Sequence, residues 1–131
     1  MRRIHQVTLI IAFLAFSWLA MMVVHELGHV GGAVTTGATV EKVVLHPLAI
    51  SRTDVSNNQH PLIVIWSGPI FGALLPLLML LVIKRTKCAC WPLAKFFAGF
   101  CLVANGGYIG FGSFEQIGDA GDTSLIGGAH I

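Results

Sequence analysis

Residues 7–34 read VTLIIAFLAFSWLAMMVVHELGHVGGAV. Val7 to Val24 carries no charge, and the run then passes through His25, Glu26 and His29 on its way to Val34. About 20 apolar residues cross a hydrocarbon core of about 30 Å as a helix. The stretch therefore reads as a membrane span with polar groups set into one end. Pro61 to Ile83 and Phe96 to Phe114 are also long, apolar and uncharged. Only a helix or a closed barrel satisfies its own backbone in lipid, and apolar runs without alternation mean helices. The fold expected is an all-α membrane protein with three transmembrane helices, over about 7–34, 61–83 and 96–114. Residues 1–131 are expected to form a single membrane-embedded domain that ends in a segment 115–131.

Composition supports that class. Hydrophobic residues make up 55% of the 131 and charged residues only 11%, against about 25% charged in a soluble domain. This excludes an ordinary soluble globule and a disordered chain. Eight Lys+Arg against six Asp+Glu leave a net charge of +2 without a basic stripe, which argues against a nucleic-acid partner. The partner implied is the lipid bilayer. Met1-Arg2-Arg3 has the form of a signal-peptide start, but no small-residue cleavage site follows the apolar run. Arg2 and Arg3 precede the first span, and Lys84, Arg85, Lys87 and Lys95 lie between the second and third. Positive charge stays inside, so the N-terminus and that second loop are expected in the cytoplasm of an integral, multi-pass protein of a bacterial inner membrane.

Between the first two spans, residues 39–56 are rich in β-branched side chains and broken by Pro47. They read as a small β-hairpin at the membrane surface. Trp18 lies too deep in the first span for an interfacial anchor and reads as core or lipid-facing. Three cysteines do not make a disulfide framework, and Cys88-Ala89-Cys90 alone is a poor zinc signature.

His25-Glu26-Leu27-Gly28-His29 is an HExxH sequence. On a helix, positions i and i+4 share a face, so both imidazoles reach one metal ion. The Glu of such a motif serves as general base toward a metal-bound water. Polar groups inside a span are costly, about 2.5–3.5 kcal/mol for a central charge on insertion scales, and a bland span has no reason to hold them. Catalytic zinc keeps three protein ligands and one open position. The remaining candidates are His5, His46, His60, Glu115, Asp119, Asp122 and His130. The segment after the third span returns to the end where His25 and His29 lie, which favours Asp119 or Asp122. Gly28, Gly31 and Gly32 let a neighbouring helix come close. Ser67-Gly68-Pro69 interrupts the hydrogen-bond ladder of the second span, as an opening for substrate or as a tolerated kink. Asn105 either bonds a neighbouring helix or holds a substrate backbone.

These motifs together resemble the intramembrane zinc metalloproteases of the site-2 protease type. His25-Glu26-Leu27-Gly28-His29 matches the motif on their first core helix. Ser67-Gly68-Pro69-Ile70-Phe71-Gly72 is similar to the Gly-Pro motif of their second. Asn105, followed by the Gly118-Asp119 turn, resembles a diverged form of the Asn…Asp-Gly element of their third. The likeness covers about Val7 to Leu125. It implies zinc held by His25, His29 and Asp119 (with Asp122 as the alternative), and Glu26 as the catalytic base. Gly68, Pro69 and Asn105 are the substrate-binding positions, and the substrate is a membrane protein or a membrane-associated peptide. The Pro-rich approach and the Leu-Asp-Gly sequence of the family are absent, and the expected site opens outward, whereas better-known members open near the cytoplasmic face. The expected function is a zinc-dependent intramembrane endopeptidase. The alternative is a non-catalytic metal-binding or interaction subunit that retains the fold and works with a membrane-protein partner or as an oligomer.

Overall fold

A computed structural model describes residues 1–49 and 51–115. It is mostly helical: α1 spans Arg2–Thr36, α2 Pro61–Arg85 and α3 Trp91–Glu115, with strands β1 (Thr39–Val44) and β2 (Arg52–Ser56) between the first two helices. All three helices are long and apolar enough to cross a membrane. At 1.5 Å per residue, α1 is ~52 Å long. It therefore outruns the apolar stretch at both ends, and Arg2, Arg3 and His5 form its first turns.

Local chemistry sets the boundaries. Gly37 ends α1 in the left-handed conformation (φ 76°). Its N–H bonds the Val34 carbonyl at 3.3 Å, and Ala38 N–H bonds the Ala33 carbonyl at 2.9 Å. That is the Schellman arrangement, and its apolar contact is the buried Ala33–Ala38 pair. Pro61 opens α2 at a position where its missing N–H costs nothing. α2 continues as one helix through Pro69 and Pro76, in keeping with the reading of Ser67-Gly68-Pro69 as a tolerated interruption of the hydrogen-bond ladder. Pro69 and Pro76 are both buried, where the surrounding helices let a span tolerate the hydrogen bonds that proline removes.

The helices run up, down and up. Phe13 meets Phe96 at 5.2 Å between ring centroids, and His25 meets Tyr108 at 5.5 Å, so α1 and α3 are parallel. Gly28 and Gly32 face Gly68, Ser67 and Val64, so α2 is antiparallel to both. The buried faces repeat every three or four residues. On α2 they are Val64, Gly68, Gly72 and Pro76, and on α3 Ala94, Ala98, Cys101 and Asn105. Small residues bring the backbones close, which is how helices associate where lipid removes the hydrophobic drive. Gly28 and Gly32 do this on α1, whereas Gly31 faces open space.

The strands pair antiparallel, Val40 with Val55 and Val43 with Thr53, with a bulge between Val40 and Lys42. Alternation turns Thr53 and Val55 inward and leaves Arg52 and Asp54 paired on the outer face at 3.2 Å. Val40 and Val55 pack on Ala33, Ala38 and Val64. The hairpin is thus docked on the end of the bundle, and its loop folds back along α1. At the other end Cys88 and Cys90 form a local disulfide clip, while Cys101 is free and buried.

Candidate metal centre

His25, Glu26 and His29 come together on the buried face of α1, each no more than 6% exposed. One ligand atom from each lies within 4.8 Å of the others, a grouping able to hold a metal ion. Counting along α2, Gly68 beside His29 is about 10 Å from the helix start. The cluster therefore lies inside the bundle near its hairpin end.

The surroundings dictate which nitrogens carry protons. His29 Nδ1 is 2.8 Å from the Val64 carbonyl oxygen. A carbonyl only accepts, so Nδ1 is the donor. Asn105 donates its Nδ2 to the Cys101 carbonyl at 2.8 Å, which turns Oδ1 toward His25 Nδ1 at 2.7 Å. Here too Nδ1 is the donor. In the neutral rings both Nε2 atoms then carry lone pairs, and those two atoms stand 3.1 Å apart. Lone pairs facing each other repel unless a cation or a proton lies between them. Two nitrogens at 2.0–2.1 Å from a tetrahedral zinc are about 3.3–3.4 Å apart. The donor set therefore fits zinc to within a few tenths of an ångström. Nδ1 bonds to a backbone carbonyl and a side-chain amide are the supports that fix tautomer and ring orientation in histidine metal sites.

Glycines make the space. A Cβ on Gly68 would strike the His29 ring, 2.5 Å from Cε1 and 2.7 Å from Cδ2. One on Gly72 would stand 2.6 Å from Asn105 Oδ1. One on Gly28 would meet Phe71 Cβ at 2.7 Å and Gly68 Cα at 2.8 Å. Gly68 and Gly72 thus leave room on α2 for one imidazole and for the amide that orients the other.

Glu26 is 2% exposed, and its Oε2 accepts a hydrogen bond from Thr53 Oγ1 at 2.6 Å. Beside His25 lies a cavity of about 360 Å³ between α1, α3 and the hairpin loop. Trp18, Met21, Met22 and Ala104 give it an apolar wall, and Pro47, Leu48 and Ala49 roof it. The Trp18 indole N–H donates to the Pro47 carbonyl at 3.0 Å. Trp18 is therefore neither plain core nor plain lipid-facing: it straps the loop about two turns before His25.

Of the residues singled out in the sequence, His25, Glu26, His29, Gly68 and Asn105 are gathered at one place. Pro69 is buried on α2 beside them. Asp119 and Asp122 lie outside the described residues. Thr53, Val64, Trp18 and Tyr108 were not singled out for the site. For Thr53 a signal existed in the alternation of Arg52 to Val55, which puts it on the same face as Val55. No protein-family model, curated protein or solved structure matches the chain, so the functional reading rests on the site itself.

Proposed function

We propose that the chain is a zinc-dependent endopeptidase that hydrolyses peptide bonds of membrane-associated substrates. The observation that carries this reading is the convergence of the two Nε2 atoms at 3.1 Å, with both Nδ1 atoms engaged elsewhere and a carboxylate alongside. His25 and His29 hold the ion, and Asp119 (with Asp122 as the alternative) supplies the third protein ligand that catalytic zinc requires. Imidazole and carboxylate donors suit zinc. When bound, zinc polarises the scissile carbonyl and lowers the pKa of its water. Glu26 accepts the proton of that water on its carboxylate and hands it to the leaving amine.

The rest of the site handles a substrate that would otherwise hide its carbonyls in helical hydrogen bonds. A cavity of about 360 Å³ falls within the usual range for ligand sites, about 300–1,000 Å³. It accommodates a short unwound stretch, with apolar side chains against Trp18, Met21 and Met22. Among the described residues the sheet has two strands, and an outer edge of such a sheet takes an extended segment by strand addition. The N-terminus and the α2–α3 connection lie at the end away from the hairpin. Their basic residues put that end in the cytoplasm and the site toward the outer face.

The test uses the whole chain purified in detergent, with fluorescein-labelled casein as an unfolded substrate. Wild-type protein is expected to cleave it, to stop when zinc is chelated and to resume when zinc is restored. Glu26→Gln is expected to keep zinc and lose 10²- to 10⁴-fold in rate, whereas His25→Ala loses zinc and activity together. Wild-type cleavage by Glu26→Gln beside an inactive His25→Ala would overturn hydrolysis at this site and favour a metal-binding subunit that retains the fold.

A further inference from the structure

Thr53 stands on a different element from the rest of the site, yet it makes a short hydrogen bond to it. Its hydroxyl donates to Glu26 Oε2 at 2.6 Å, and the carboxylate oxygen accepts. A threonine hydroxyl has one proton to donate, and here it is committed to Glu26. The contact is set by the hairpin as a whole. Val55, on the same face of β2, is seated against Ala33, Ala38 and Val64, and the register pairs Thr53 with Val43. A slip of one residue would turn Thr53 outward and bring Arg52 or Asp54 to face Glu26. The inward residue of β2 at this height is thus a short neutral donor, and the charged pair faces away.

We propose that Thr53 is a positioning residue for Glu26, holding the carboxylate in one rotamer so that it meets the attacking water in a productive orientation. This rests on the endopeptidase reading above. A glutamate side chain has three rotatable bonds, and nothing else among the described hydrogen bonds fixes the Glu26 carboxylate. The hydroxyl supplies that restraint from the docked sheet. Removing it leaves the base in place but spread over several orientations, which lowers the rate of the chemical step and leaves substrate binding and zinc binding unchanged.

The experiment compares wild type, Thr53→Val, Thr53→Ser, Glu26→Gln and the double variant Thr53→Val/Glu26→Gln. All are measured as the whole 131-residue chain in detergent with fluorescein-labelled casein, and the zinc content of each is read by plasma mass spectrometry. Valine keeps the β-branched shape, so the strand and its docking persist. The expected result is a fall of about 10-fold or more in kcat for Thr53→Val, with KM within 2-fold and the zinc content of wild type. Thr53→Ser recovers most of the rate. In the Glu26→Gln background the valine variant has no further effect, because the group it positions is gone. A wild-type kcat for Thr53→Val beside an inactive Glu26→Gln overturns the role of Thr53 and leaves the endopeptidase reading standing. The same holds for a serine variant as slow as the valine one, a loss of zinc in Thr53→Val, or an additive loss in the double variant. A zinc-loaded wild type that leaves casein intact, or a Glu26→Gln that cleaves it normally, overturns both.

Discussion

Gly68→Ala adds one methyl group to α2, and the structure says where that methyl goes. Its Cβ would lie 2.5 Å from His29 Cε1. Ordinary contact begins at 3.4 Å, and His29 Nε2 lies nearer still than Cε1, so the ring must retreat by roughly 1 Å or the helices must part by as much. A metal site tolerates about 0.2 Å in its ligand distances. His29 also loses the alignment of Nδ1 with the Val64 carbonyl, and perturbing such supports costs 10- to 100-fold in metal affinity. That is about 1.4–2.7 kcal/mol. Competition against a chromogenic chelator in detergent measures it. Gly106→Ala is the matched control, because nothing lies within 4 Å of the added Cβ there. It should bind zinc as wild type does. Wild-type zinc affinity for Gly68→Ala, or an equal loss for Gly106→Ala, would refute the argument that Gly68 makes room for His29.

Asn105→Leu removes the acceptor for His25 Nδ1 and should weaken zinc binding by about 10- to 100-fold, with the His25 ring losing its fixed orientation in imidazole NMR spectra. Trp18→Phe keeps the apolar wall but deletes one hydrogen bond to the hairpin loop, about 0.5–1.5 kcal/mol. Limited proteolysis should then cut the loop near Pro47 several-fold faster while zinc content stays the same. Asp119→Ala should lose zinc and Asp122→Ala retain it, and the reverse pattern would assign the third ligand to Asp122. Single cysteines at residues 84–87, in a background without Cys88, Cys90 and Cys101, should resist a membrane-impermeant maleimide added to intact cells. Labelling from outside would turn the topology over.

The apolar runs announced three helices, and the spacing of His25 and His29 announced a shared face, because both are one-dimensional properties of a helix. Runs of β-branched residues gave away the hairpin, whose strands fall inside residues 39–56. Hydropathy reported where lipid begins, not where helices end. Arg2 and Trp91 therefore open helices that start several residues before the apolar stretches do. The contacts that make the cluster a site were not legible. Asn105 is 80 residues from His25, and Val64 is 35 from His29. Which side chain meets which depends on the rotation and depth of one helix against another, and glycine contacts set these across the interface. The Val64 partner is a backbone oxygen, which side-chain identity does not encode. Ser67-Gly68-Pro69 illustrates the same gap: as a string it reads equally as an opening or as a tolerated kink, and the continuous helix appears only in the bundle.

The central claim is that His25 and His29, held by Asn105 and Val64, present both Nε2 atoms to one zinc ion. Zinc K-edge X-ray absorption on the purified, desalted protein tests it directly. The account predicts about one zinc per chain, with two imidazole nitrogens among three or four nitrogen and oxygen donors at about 2.0–2.2 Å. It also predicts that the imidazole signature disappears in His25→Ala and His29→Ala. Sulfur donors near 2.3 Å, an imidazole signature that survives either substitution, or a protein that emerges from desalting without zinc and fails to take it up would contradict it.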